Sequence, residues 1–176
     1  MKQGLVHIYT GPGKGKTTAA LGLGSRASGH GLKVLMIQFL KGQSTGEMET
    51  IAKLGPNFKL FRHNKNDKFT WEMTANELGG IKGETRNALN YAIEAVISGE
   101  WDLIIMDEVM AAVNLGLLPL KEVVELVKEK PPTVELVLTG RDAPSELIEL
   151  ADYVSEIIAR KHPMKRGIMA RQGIEY

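Results

Sequence analysis

The sequence predicts an α/β fold: a mostly parallel, twisted sheet with helices on both faces. Two observations carry the prediction. Short, nearly continuous apolar runs recur along the chain, and longer stretches with helical apolar periods fill the intervals. Runs that dense suit strands buried on both faces, the situation of a parallel sheet. Their alternation with helices places helices over both faces. Leu5–Tyr9 is the first run, followed by a helical period at Ala20, Leu23, Gly24 and Ala27. Lys33–Phe39 is the second run and Phe58–Phe61 a weaker one. Leu89, Ala92, Ile93 and Val96 make the next helical stripe, ahead of the run Leu103–Met106. Leu120, Val123, Val124 and Val127 make another, ahead of Val134–Leu138. Asp142-Ala143-Pro144 reads as a cap with a first-turn proline for a short helix over Ser145–Leu150, and Tyr153–Ile158 is a sixth run.

Composition narrows the function. The 176 residues fit one domain spanning 1–176, and 43% apolar content supplies a sizeable core. A net charge of +1 gives no bulk positive field for nucleic acid or a membrane surface. Zero cysteines exclude disulfides, Cys-ligated zinc, iron–sulfur clusters and a thiol nucleophile. No apolar run approaches the roughly 18 residues of a membrane span, and MKQGLVHIYTG lacks the features of a signal peptide. A soluble, cytoplasmic protein without nucleic-acid or membrane partners is the expectation.

Ligands of such sheets sit at the carboxyl ends of the strands. There the first run leads directly into Gly11-Pro12-Gly13-Lys14-Gly15-Lys16-Thr17-Thr18 and then a helix. Glycines permit a tight turn that presents amides at a helix N-terminus, where the dipole favours anions. In that strand–loop–helix context the segment reads as a P-loop, so the fold is expected to be P-loop NTPase-like. Lys16, exposed at the helix start, would lie on phosphate oxygens, and the Thr17 hydroxyl would complete a Mg²⁺ shell. The loop is one residue short: the pattern G-x-x-x-x-G-K-[ST] wants glycine at position 10, which is Thr10, and the first glycine is Gly11. A tighter loop should hold a different phosphate register, hinting at chemistry other than ordinary γ-phosphate hydrolysis.

A second strand end carries acid. Trp101–Glu108 is an apolar strand closing in Asp107-Glu108, as a Walker B strand does. Adjacent strand residues face opposite ways, so one of the two carboxylates is expected to meet a metal directly. Arg141, after another predicted strand, either binds phosphate or pairs with a nearby acid. Arg26 lies about 15 Å up the first helix, out of reach of the loop. His7, His30, His63 and His162 show no metal-binding spacing. Arg160–Arg166 reads as a solvated basic loop, with contact to phosphate or another ligand as its alternative.

The combination resembles a known family, the P-loop class of ATP:corrinoid adenosyltransferases. The resemblance rests on GPGKGKTTAALG (11–22), GHGLKVLMIQFLKG (29–42), FTWE (69–72), MDE (106–108), LTGRDAPSELIELADYVSE (138–156) and KHPMKRGIMARQGIEY (161–176), spread over nearly the whole chain. It implies transfer of the 5′-deoxyadenosyl group of ATP to a reduced corrinoid cobalt, with release of intact triphosphate. Co(I) would be the nucleophile, leaving the protein to position the substrates and stabilise charge on the leaving group. The alternative is a P-loop ATPase or kinase acting on another small molecule.

The resemblance also implies a site. Lys16 and Glu108 would be catalytic; Gly11 to Thr18 with Arg141 would bind the nucleotide, reversed relative to ordinary P-loop NTPases. Thr17, Glu108 and Asp107 would hold Mg²⁺ or Mn²⁺. Phe69 and Trp71 would pack on the lower face of the corrin and displace its axial ligand, easing reduction of Co(II) to Co(I); read alone, an F-x-W pair suits a core element. A homodimer is expected, and an electron donor such as a flavoprotein reductase is a possible partner. Longer family members carry a segment ahead of the first strand that helps cover the site, whereas here the strand begins close to Met1. Met164 stands where an aromatic residue often follows the KHP element.

Overall fold

In a computed structural model, the structure describes residues 2–41, 45–62 and 75–175. Six strands form one sheet: β1 (Val6–Thr10), β2 (Val34–Gln38), β3 (Phe58–Arg62), β4 (Leu103–Asp107), β5 (Glu135–Thr139) and β6 (Tyr153–Glu156). They lie in the order β3-β2-β4-β5-β1-β6, with every pairing parallel. The apolar runs are strands for the reason anticipated: β2 and β4 are buried at every position, since helices cover both faces.

The helices are α1 (Lys16–Gly29), α2 (Gly46–Leu54), α3 (Ala75–Ile97), α4 (Val109–Asn114), α5 (Leu120–Glu129) and α6 (Ser145–Ile148), and a 3₁₀ turn spans Pro163–Arg166. One face of the sheet packs Val34, Met36, Leu103, Ile105 and Val137 against Ala20 of α1 and Ile51 of α2. The other face packs Ile8, Leu35, Ile37, Ile104, Leu136 and Leu138 against α3 and α5, with α4 and α6 filling the ends. Gly24 lets α1 lie close to the sheet: a Cβ there would be 2.7 Å from the Phe58 ring.

Two details differ from the sequence reading. Pro144 is the N-cap residue of α6 rather than a residue of its first turn, and no side chain caps that helix. Asp142 is not a cap because it turns the chain with φ of 50°. β6 is exposed at all four positions, so neither of its faces has the cover a parallel strand usually has. His7 is a strand residue as expected; its Nε2 lies 2.5 Å from Glu135 Oε1 and its ring stacks on Tyr153.

Candidate functional site

The strand order sets β5 between β1 and β4, so three adjacent carboxyl ends build one site. From β1 the chain enters the glycine loop with Gly11 at φ 98° and Gly15 at φ 124°, conformations that favour glycine. A Cβ on Gly11 or on Gly13 would lie 2.6 Å from the Ile157 carbonyl oxygen, and the Gly13 amide donates to that oxygen at 2.7 Å. The loop therefore rests against the chain leaving β6. Thr10, standing where a longer loop has glycine, accepts a hydrogen bond from the Ala143 amide and ties β1 to the segment after β5. Gly15 caps α1 without a side-chain hydrogen bond, which leaves the first-turn amides to an incoming anion.

Lys16 corrects one expectation. It is buried, 7% exposed, rather than exposed at the helix start. Its Nζ donates to the carbonyls of Gly11 at 2.8 Å and Gly13 at 2.9 Å, because the short loop curls over the helix start and turns these oxygens inward. Burial pulls its pKa down, as does Arg141, while Glu108, Asp107 and Asp142 work in the opposite sense.

The two acids differ in their surroundings. Asp107 is fully buried. Its Oδ1 accepts hydrogen bonds from the Thr17 and Thr139 hydroxyls at 2.8 and 2.7 Å. Its Oδ2 accepts from Gln38 Nε2 at 3.1 Å and pairs with Lys41 Nζ at 2.9 Å. These four partners occupy the carboxylate. Glu108 turns the other way and lines the cavity. Its amide donates to Thr139 Oγ1 at 2.9 Å, and its φ of 63° is a left-handed conformation at the start of α4. Burial raises its pKa, the neighbouring Asp107 charge adds to the rise, and Lys41, Lys16 and Arg141 oppose it. Leu40 and Asp142, at φ 59° and 50°, share the left-handed conformation. The three follow the ends of β2, β4 and β5, a clustering of backbone strain at one rim.

These residues surround a cavity of about 720 Å³ whose walls include residues 12–18, Leu21, Lys41, Glu47, Glu108, Arg141 and His162, together with Gly173–Glu175. Lys14 reaches toward Glu175 at 4.0 Å. Among the described residues Arg141 has no ion-pair partner, although an acid partner was one of its two readings. Arg26 lines a separate cavity of about 260 Å³ with His30 and Leu32, away from the loop. A groove of about 610 Å³ adjoins the site through Lys14, His162 and Glu175, with Ile158, Met164, Ile168 and Met169 along it. Residues 160–164 of the basic stretch border that groove, and Phe69 and Trp71 lie outside the described residues.

The donor set fits a hard divalent cation. Donating its hydrogen to Asp107 leaves the Thr17 oxygen its lone pairs, and Glu108 offers carboxylate oxygens at the same cavity. Hydroxyl and carboxylate oxygen suit Mg²⁺ or Mn²⁺. Among the described residues no group of three or more acids or histidines forms a metal cage. That is compatible with Mg²⁺, which usually takes one or two carboxylates plus phosphate oxygens and water.

Four residues at this rim escaped the sequence reading as site residues: Gln38, Lys41, Glu47 and Thr139. Gln38 and Thr139 end strands, and Lys41 follows β2 by three residues, so the strand-end rule pointed to all three. Glu47 gave no signal, since α2 was not anticipated.

Comparison with known proteins shows the family. The chain matches the family described as ATP:corrinoid adenosyltransferase BtuR/CobO/CobP over residues 2–176. It is 35% identical to the corrinoid adenosyltransferase of Escherichia coli strain K12, over 99% of this chain and 87% of that protein. It is 37% identical to the corrinoid adenosyltransferase of a Sinorhizobium species, over 99% and 81%. Among solved structures the RadB recombinase is similar at a TM-score of 0.55 and 16% identity, covering 89% of this chain and 76% of that one, a likeness of fold alone.

Proposed function

The chain belongs to the ATP:corrinoid adenosyltransferase family, and from that premise we propose how its residues divide the work of the reaction. The enzyme moves the adenosyl group of ATP to a corrinoid, a step of cobalamin biosynthesis. In the reaction as the family performs it, Co(I) of the corrinoid substrate attacks the ribose C5′. The C5′–O bond breaks, and triphosphate leaves with the bonding electron pair.

The observation that carries the assignment is the cavity at the carboxyl ends of β1, β4 and β5. There residues 14–18, at the start of α1 and including Lys16, face Arg141 across a space of about 720 Å³. The chain's own task is to hold the triphosphate and stabilise the charge it gains on leaving. Lys16 does so from beneath the loop and Arg141 from the rim. Thr17 and Glu108 would hold Mg²⁺ or Mn²⁺, which supplies further charge neutralisation; Asp107 fixes the Thr17 hydroxyl in the orientation that presents its oxygen.

The corrinoid takes the adjoining apolar groove, whose shared wall of Lys14, His162 and Glu175 brings it beside the nucleotide. Phe69 and Trp71 close on its lower face, and an external reductase, such as a flavoprotein, supplies electrons. The whole reaction is the work of one domain acting in the cytoplasm as a homodimer; among the described residues no helix is long and apolar enough to cross a membrane.

Incubation with ATP, Mg²⁺ and chemically reduced cobalamin tests the reading. The corrin absorption spectrum should convert to that of the adenosylated product, with one triphosphate released per cobalt. Orthophosphate release without a spectral change would identify an ATPase instead.

A further inference from the structure

Lys41 lines the same cavity as Lys16 and Glu108. Its backbone follows Leu40, whose left-handed φ of 59° turns the chain at the end of β2. The ammonium lies 2.9 Å from Asp107 Oδ2, 3.6 Å from Glu47 Oε1 and 3.4 Å from Thr17 Oγ1. Asp107 is already served by three uncharged donors, Thr17, Thr139 and Gln38. Glu47 is also well supplied. Burial alone would raise its pKa, but its own backbone amide, Lys41, the Thr45 hydroxyl and Gln38 together bring it below the usual carboxylate value.

The 3.4 Å contact to the Thr17 hydroxyl is long for a hydrogen bond, and an oxyanion held by the Thr17 backbone amide would readily replace it. An ammonium on a flexible four-carbon stem has three donors and can follow charge as it shifts. Lys16 is held by the loop carbonyls, and Lys41 by carboxylates.

We propose that Lys41 is a second triphosphate-binding cation: it waits on Asp107 and Glu47, and contacts the triphosphate as that group gains negative charge on leaving. The proposal rests on the cavity being the triphosphate site, and its test keeps the two apart.

Inorganic tripolyphosphate is titrated calorimetrically in EDTA into the wild-type protein and into Lys16→Ala, Lys41→Gln, Lys41→Arg and Glu47→Gln. Lys41→Gln should bind about tenfold more weakly, Lys41→Arg should recover most of the loss, and Glu47→Gln, which loosens the tether, should bind more tightly than wild type. Wild-type affinity in Lys41→Gln, with or without a lower Tm, would mean that Lys41 only braces Asp107 and would overturn the proposal. If Lys41→Gln does not fold, Glu47→Gln decides: unchanged or weaker binding also overturns it. Failure of the wild-type protein to bind tripolyphosphate, or equal binding by wild type and Lys16→Ala, would instead overturn the phosphate cavity on which the proposal rests.

Discussion

Lys16 and Glu108 line one cavity, and burial moves their proton affinities in opposite directions, each toward the neutral form. A charge kept in such a place is retained at a cost in stability, and the Lys16 ammonium is stabilised by two loop carbonyls. Replacing Lys16 by Ala removes the cation proposed to stabilise the leaving triphosphate, so turnover should fall by about a hundredfold or more. Circular dichroism should show the fold retained; near-wild-type turnover in a folded Lys16→Ala protein would end the assignment.

Glu108 gives a prediction with a sign. Its folded-state pKa lies above its unfolded value, so the native state binds the proton more tightly than the unfolded chain does. Stability therefore falls as pH rises from the unfolded pKa through the folded one, and above that window the penalty is fully present. Glu108→Gln should accordingly raise Tm at pH 8 and change it little at pH 4, while lowering activity by removing the carboxylate proposed to hold the metal. A lower Tm at pH 8 would show that the ionised side chain stabilises the fold.

At the scale of elements, function depends on how closely α4 approaches the end of β5. Gly140 has a φ of 150°, and a Cβ there would stand 2.7 Å from Met110 Cβ and 3.0 Å from the Ala111 amide nitrogen. Neither of those atoms can move without moving α4, and Glu108 is the residue that starts α4. Gly140→Ala should therefore destabilise the protein by about 1–3 kcal/mol and lower kcat more than it raises the KM for ATP. A stability loss with unchanged kcat would separate the packing of α4 from the placement of Glu108.

The same scale explains what the sequence made legible. Strands buried on both faces show as apolar runs, and β2 and β4 were plain for that reason. Helix α2 buries only Ile51 and α4 has six residues, so neither presents a repeating stripe, and both were missed. The phosphate loop was legible because its chemistry is local in sequence. The network around Asp107 was not, because it draws Thr17, Gln38, Lys41 and Thr139 from the ends of β1, β2 and β5, which only the topology brings together.

At the scale of the whole molecule, the C-terminal quarter is unfinished as a surface. Of the large apolar side chains exposed among the described residues, Ile148, Tyr153, Val154, Ile158, Met164, Ile168, Met169 and Ile174 fall there, and Leu54, Ile97 and Leu115 elsewhere. Exposed apolar side chains gathered in one stretch of chain suit the homodimer proposed above. Light scattering should show a dimer that Val154→Lys, on the exposed edge strand β6, converts to monomer. A wild-type monomer with full activity would exclude the homodimer.

The aromatic pair tests the assembled reaction, because it separates this enzyme from a generic ATPase. If Phe69 and Trp71 displace the lower ligand of the corrin, they act before the chemical step, on the reduction of cobalt. Replacing both by Ala should cripple adenosylation when cobalt is supplied as Co(II) with a weak reductant. With chemically generated Co(I) the nucleophile already exists, and the same variant should keep much more of its activity. ATP affinity should change little, since the loop that holds the nucleotide is untouched. Equal loss with both cobalt states would reduce the pair to binding surface for the corrinoid. No loss with either would place it in the core or on idle surface, and the lowering of the reduction barrier would have to come from residues elsewhere around the groove.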